Sequence, residues 1–316
     1  MRNKICVLGS LNVDLTVHME RFHLPGETVM GDSFHTFTGG KGGNQAVAAA
    51  KLYKNGVCMI ACVGDDDNGR MYLETLREKG VDVSGIVVKE NVPTGVALIE
   101  VDKTGENRIV VVSGANGELD CDVVTEKHML LRESRVCLFQ LETPMVSVNH
   151  AAAVARQSGA IVVLDPAPAQ PVPQALLTLC DYVTPNETEL ATLTNMPTAT
   201  VEQAIVASKE LLKKGARAVI NKRGAQGALF VTHDYAKLVP GYVVDAKDTT
   251  AAGDTFNAAF AVGLAMDLEV LDAIRLANAA GAISTTKIGA QTAMPTLSEA
   301  METVDFGTIA DIDEGK

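Results

Sequence analysis

The sequence predicts an α/β protein: a doubly wound, mainly parallel central sheet flanked by helices, with a small β-sheet lid. Three observations carry this. Short unbroken apolar runs, the pattern of strands buried on both faces, alternate with segments of helical period. Polar residues follow three of those runs (Glu142, then Asp165, then Asn186 with Glu189), as they do where a binding crevice opens at strand ends. A β-rich hairpin, Thr94 to Val101 and Arg108 to Ser113, interrupts the alternation and calls for a sheet of its own.

Taken in order, Lys4 to Leu8 is a buried first strand ending at Gly9-Ser10. In Gly9-Ser10-Leu11-Asn12-Val13-Asp14, Asn12 and Asp14 alternate with apolar residues, so both side chains point to one side of an extended segment. They suit sugar hydroxyls or, equally, a solvated edge strand. Pro25-Gly26-Glu27 is a turn, and the loosely alternating stretch to Thr38 suggests strands outside the main core. Gly39-Gly40-Lys41-Gly42-Gly43-Asn44-Gln45 then leads into an alanine-rich helix, Ala46 to Leu52. So much glycine lets backbone approach a ligand closely, or makes a plain turn. It matches neither GxxxxGK[ST] nor GxGxxG.

Val57 to Val63 reads as a strand, and Gly64-Asp65-Asp66-Asp67-Asn68-Gly69 as its loop, out of register for an EF-hand and suited to a helix cap. A helix through Leu76 and a strand, Val81 to Val88, follow. From Val136 the order is strand to Leu141, helix through Ala155, Ile161 to Leu164, Tyr182 to Thr184, a helix from Thr188, another from Val201 to Lys214, and Ala218 to Ile220. Asn186 and Glu189, three apart, share a helical face, and Asn186 is also a good N-cap. The tail from Thr303 to Lys316 reads as a terminal helix or a frayed end.

Asp248-Thr249-Thr250-Ala251-Ala252-Gly253-Asp254 runs into Thr255 to Met266, where Phe256, Ala259, Phe260, Gly263 and Leu264 make a helical apolar stripe. A helix beginning near Gly253 leaves its first N–H groups without intrahelical partners, so Ala251, Ala252 and Gly253 are a candidate anion hole. Asp254 in that first turn either complements the helix dipole or handles a proton beside a bound phosphate.

The chain has 316 residues, 47% hydrophobic and 21% charged, enough to bury a sizeable core. Its formal charge of -12 argues against a nucleic-acid or acidic-membrane partner, either of which needs clustered Lys and Arg. Six scattered cysteines form no CxxC pairs, so reduced thiols and no zinc are expected. The apolar run after the positive N-terminus is too short for a secretion signal, and the expected location is the cytoplasm.

The glycine-rich stretch, Asn186 to Glu189, and Asp248 to Asp254, in this order, resemble the ribokinase-like carbohydrate kinase family. Gly9 to Asp14, Gln140-Leu141-Glu142, Asp165-Pro166-Ala167-Pro168-Ala169 and Lys287-Ile288-Gly289-Ala290-Gln291 extend the similarity to nearly the whole chain. The resemblance implies one kinase domain over 1–316 with a lid from about 11–38 and 94–113. It implies an ATP-dependent phosphotransferase whose sugar, ribose, is held by Asn12, Asp14, Gly40, Lys41, Gly42, Gly43, Asn44 and Glu142, with Asp254 as the base. Asn186, Lys222, Arg223, Gly224, Ala225, Gln226, Gly227, Gly253 and Asn278 look like ATP contacts, and Glu189 resembles the acid that supports Mg²⁺ and phosphate through water. A monovalent cation, K⁺, is implied at Asp248, Thr250, Ser284, Lys287, Gly289 and Ala293, and a homodimer closed by the lid.

Three departures from the family pattern stand out. Lys222-Arg223-Gly224 is charged where an uncharged residue often precedes the glycine, which bears on nucleotide contacts; Gly43 replaces a frequent Ala; and Ala251-Ala252 stands where many members carry Gly-Ala. Another sugar, a deoxysugar or a nucleoside as substrate fits the same motifs, although aromatic residues at 4% offer little wall for a base. A non-catalytic sugar sensor would have no need of Asp254.

Overall fold

The computed structural model describes residues 3–304. The tail beyond Val304, read above as helix or frayed end, lies outside the described residues.

The body is a nine-stranded sheet in the order β13-β12-β11-β10-β9-β8-β1-β4-β5. Its strands are β1 (Lys4–Leu8), β4 (Val57–Gly64), β5 (Val81–Lys89), β8 (Ser134–Phe139), β9 (Ile161–Leu164), β10 (Tyr182–Val183), β11 (Ala218–Lys222), β12 (Ala228–Val231) and β13 (Ala236–Val239). From β5 to β11 every neighbouring pair is parallel, and β12 and β13 close that edge antiparallel. The central strands are apolar without a break because helices cover both faces, and β4 is buried along its whole length.

The second sheet has the order β3-β2-β6-β7, with β2 (Asn12–Met19), β3 (Ser33–Gly39), β6 (Gly95–Asp102) and β7 (Asn107–Val112). The expected hairpin is β6 and β7, turned by Asp102, whose Oδ1 accepts from Thr104 N at 2.8 Å and Glu106 N at 3.1 Å. The pairing of β2 with β6 is parallel, which no local sequence signal announces.

The helices are α1 (Lys41–Leu52), α2 (Asp67–Glu78), α3 (Cys121–Glu126), α4 (His128–Glu133), α5 (Met145–Gln157), α6 (Gln174–Leu177), α7 (Glu187–Thr194), α8 (Val201–Lys213), α9 (Ala252–Ala265), α10 (Val270–Ser284) and α11 (Leu297–Thr303). The acidic loop before α2 is a cap: Asp66 Oδ1 accepts from Gly69 N at 2.7 Å, and its other oxygen accepts from Thr94 N at 2.8 Å.

α9 departs from the expected single apolar stripe, being buried on all sides from Asp254 to Ala265. It lies between α1 and α10, and a Cβ on Gly263 would come within 2.7 Å of Ala273 Cβ, so glycine permits the α9–α10 approach. Its start moves one residue back from the expected Gly253, because Ala251 takes φ 59 and turns the chain into the helix. α10, α11, β12 and β13 were not anticipated from local pattern. No helix among the described residues is long and apolar enough to cross a membrane.

Candidate active site

The glycine-rich stretch becomes helical earlier than expected. α1 begins at Lys41 rather than Ala46, so Gly42, Gly43, Asn44 and Gln45 are helical. A Cβ on Gly42 would lie 2.6 Å from Gly9 C, and one on Gly43 would lie 2.1 Å from Tyr72 Oη. These glycines let the first turn of α1 cross the end of β1 at backbone contact, and Gly43 N donates to Ser10 O at 2.9 Å. Gly40, at φ 79, makes the entry turn with its α-carbon against the Asn12 amide.

That crossing assembles the sugar side. Glu142 accepts from Ser10 Oγ and from Lys41 N, the latter at 3.1 Å. Asn12 Oδ1 accepts from Asn116 Nδ2 at 2.8 Å, while the same amide brackets the Leu11 backbone. Asp14 packs against Gly39, where a Cβ would meet its carboxylate. Burial, and then the neighbouring Glu142 and Asp254, push Asp14 up to about 7.

Asp254, 7% exposed, stands in the first turn of α9. Its Oδ2 accepts from Asn44 Nδ2 at 3.0 Å and its Oδ1 from Gln45 Nε2 at 3.1 Å. Burial raises it to about 6, against the lowering field of Lys41 and these two amides. Lys41 is itself raised: burial lowers it, but Asp254, Asp165, Glu142 and Glu189 outweigh that. Asn44 is oriented in turn by Gln291, whose Nε2 donates to Asn44 Oδ1 at 3.2 Å, and Gln45 by Gln140, whose Nε2 donates to Gln45 Oε1 at 2.6 Å. Gln45, Gln140 and Gln291 fall in the motifs that carry the resemblance but outside the site residues it implies; Asn116 carries no sequence signal and becomes legible only through its bonds to Leu11 and Asn12.

At the expected anion hole, Ala252 N is bonded to Thr249 O at 3.2 Å. Among the described residues the N–H groups of Ala251, Gly253 and Asp254 have no protein acceptor, so two of the three expected donors are free and Asp254 N stands in for Ala252 N.

A cavity of about 720 Å³ opens from Asp254 and is lined by Lys41, Asn186, Glu189, Lys222, Gly224, Ala225, Gly227, Gly253 and Asn278, among others. Asn186 and Glu189 form a reciprocal capping box on α7, with Glu189 N to Asn186 Oδ1 and Asn186 N to Glu189 Oε2 both at 2.7 Å. Burial raises Glu189, with Lys222 opposing. Asn278 is held by Val239 O at 3.1 Å and Pro240 O at 3.0 Å.

Arg223 and Gln226, expected among the nucleotide contacts, are not among the residues lining the cavity. Arg223 is buried and turned away, donating to Thr198 O at 3.1 Å, Ala199 O at 2.9 Å and Gln226 Oε1 at 3.1 Å, and pairing with Glu187 at 3.0 Å. A guanidinium with five donors is satisfied only where several acceptors converge, and they converge behind the loop.

Of the positions implied for a monovalent cation, Asp248, Thr250 and Gly289 come together: Asp248 Oδ1 accepts from Thr250 N at 2.9 Å and Oδ2 from Gly289 N at 2.8 Å. Ser284 Oγ bonds within α10 to Gly281 O at 2.8 Å, Ala293 is buried, and the Lys287 side chain points outward, 3.8 Å from Glu299. The described residues hold no group of three or more His, Cys, Asp or Glu side chains suited to a metal ion.

A buried carboxylate stands at a helix N-terminus between a polar pocket and a cavity, an arrangement suited to moving a phosphoryl group onto a hydroxyl. Residues 2–297 match the pfkB family carbohydrate kinase, and the chain belongs to that family. It is 41% identical over 302 residues to the ribokinase of Haemophilus influenzae, covering 96% of this chain and 98% of that protein. It is 34% identical to the deoxyribokinase of Salmonella typhimurium, covering 93% and 96%. The structure of Arabidopsis thaliana ribokinase complexed with ribose and ATP superposes with a TM-score of 0.92 at 32% identity, covering 97% of this chain and 100% of that one.

Proposed function

We propose that this sugar kinase is an ATP-dependent ribokinase, transferring the γ-phosphoryl group to the 5-hydroxyl of D-ribose. The observation that carries the reading is Asp254: buried, raised to about 6, gripped by two amides, and placed where the polar pocket meets the cavity. Asn12, Asp14, Gly40, Lys41, Asn44 and Glu142 surround the sugar, and Asp254 takes the proton of the attacking hydroxyl. The free N–H groups at the start of α9 then meet the charge that develops on the phosphoryl oxygens. The relative from Arabidopsis thaliana, whose structure is a complex with ribose and ATP, supports this pair of substrates.

The cavity takes the nucleotide, with the 224–227 turn and Asn278 at its far end. Glu189, a buried carboxylate beside the cavity, would support a hydrated Mg²⁺ bound with the nucleotide, which would supply positive charge against the phosphates. The turn around Asp248, whose carboxylate accepts from Thr250 N and Gly289 N just before α9, would hold K⁺, which would add positive charge there. The enzyme works in the cytoplasm and as a homodimer through its lid sheet.

The test is ADP release with Mg-ATP and K⁺ across ribose, deoxyribose, other pentoses, hexoses and nucleosides. Ribose is expected to give the highest kcat/KM. A higher value for deoxyribose would move the assignment to the second reading, which the deoxyribokinase relative supports, and silence across the panel would remove the kinase reading.

A further inference from the structure

Two lysines, Lys41 and Lys222, are the cationic side chains among the residues lining the cavity, against Asp165, Glu187, Glu189 and Asp254. In a chain with a formal charge of -12, a polyphosphate entering that cleft depends on them. Lys222 ends β11, where its backbone is pinned to the neighbouring strand end: its N–H donates to Pro185 O at 2.8 Å and it bridges to Asn186. Its side chain, 12% exposed, runs inward to Asp165 Oδ1 at 2.8 Å. A Cβ built on Gly253 would lie 3.6 Å from Lys222 Nζ, so the ammonium stands beside Gly253 in the first turn of α9.

Asp165 is fully committed to this geometry. Its other oxygen accepts from Gln45 Nε2 at 2.9 Å, and that same nitrogen donates to Asp254 Oδ1 at 3.1 Å. An ion pair buried this deeply is a poor stabiliser, since desolvation cancels most of the Coulomb gain. A cation fixed where charge develops is worth far more.

We propose that Lys222 is a catalytic cation of the phosphoryl transfer and that Asp165 is its positioning residue. The proposal deepens the kinase reading and rests on it. As the sugar hydroxyl gives its proton to Asp254, its oxygen bonds to the γ-phosphorus while the bond from that phosphorus to the β–γ bridging oxygen breaks and ADP leaves. Lys222 moves no proton. Its ammonium, with the N–H of Gly253, faces the oxygens on which negative charge collects.

The experiment compares wild type with Lys222→Met, Lys222→Arg, Asp165→Asn and the Lys222→Met/Asp165→Asn double variant. It measures steady-state kinetics on the sugar that wild type phosphorylates and calorimetric affinities for ATP and AMP. Lys222→Met should lower kcat about 100-fold, as loss of one donor to a developing oxyanion does, with the sugar KM changed less than about twofold. It should weaken ATP while sparing AMP, and Lys222→Arg should restore part of both losses. Asp165→Asn should lower kcat by less and add nothing on top of Lys222→Met.

Unchanged kcat in Lys222→Met, equal weakening of AMP and ATP, or losses that multiply in the double variant would each overturn the proposal. Wild-type silence on every sugar would count against the kinase reading instead, and the ATP-to-AMP comparison still decides whether Lys222 faces the phosphates.

Discussion

Asp254 meets two requirements that pull against each other. A base for a sugar hydroxyl must be ionised near neutral pH, yet burial raises its carboxyl to about 6. The amides of Asn44 and Gln45 restrain that rise without supplying a proton of their own. Asp254→Asn should lower kcat by about 10² to 10⁴ while leaving the calorimetric affinities for ATP and sugar nearly intact. Equal loss of binding would make its role structural. Because the ionised form is the active one, kcat/KM should fall as pH drops through about 6, a limb that Asp254→Asn abolishes.

Asp14 offers a stability test of opposite flavour. Its folded value, about 7, lies above its ordinary 3.8, so the folded chain holds that proton more tightly than the unfolded one. Ionising it therefore costs stability, a cost absent below about pH 4 and complete above about pH 7. Asp14→Asn should raise the Tm of the sugar-free protein at about pH 8 and leave it unchanged at about pH 4. A lower Tm at the higher pH would show that the carboxylate is stabilised by something other than the environment described.

At the level of elements, the junction of β1 with α1 decides whether the two halves of the site meet. Gly42 has backbone atoms of Gly9 and Ser10 at 2.6 Å from where its Cβ would stand, and backbone cannot step aside as a side-chain tip can. Gly42→Ala should cost about 1–3 kcal/mol and raise the sugar KM, since α1 carries Asn44 and Gln45. Gly117→Ala is the control: nothing lies within 4 Å of its Cβ, and thermal denaturation should shift by less than about 0.5 kcal/mol. Comparable losses in the two variants would show that the close crossing is not what glycine provides there.

For the whole molecule, the lid is the outlier. β7 exposes Ile109, Val110, Val111 and Val112, and Leu98 pairs with Val110 across the ladder, with Phe34 exposed on the opposite edge strand. A soluble monomer rarely leaves so much contiguous apolar surface on a sheet with an open edge. A second copy, bringing the same surface through a two-fold axis, would cover it. Sedimentation velocity should give a dimer for wild type and a monomer for Val110→Asp, whereas a monomeric wild type would remove the inference.

Apolar runs marked the central strands because a parallel sheet covered on both faces needs no alternation, and turn chemistry marked the β6–β7 hairpin. The order of motifs grouped Asp254, Asn44, Glu142 and Asn186, and in the fold Asn44 bonds Asp254, Glu142 bonds Lys41 N, and Asp254, Lys41 and Asn186 line one cavity. β12 and β13 carry little pattern because they are short and lie at one end of the sheet. Residue types and their order along the chain were thus determined locally. Which glycines pack against backbone, that Arg223 turns away while Lys222 reaches Asp165, and that Gln45 joins Asp165 to Asp254 were decided by tertiary structure alone. The physical reason is that these facts depend on contacts between residues as much as 209 positions apart, whose partners no local window contains.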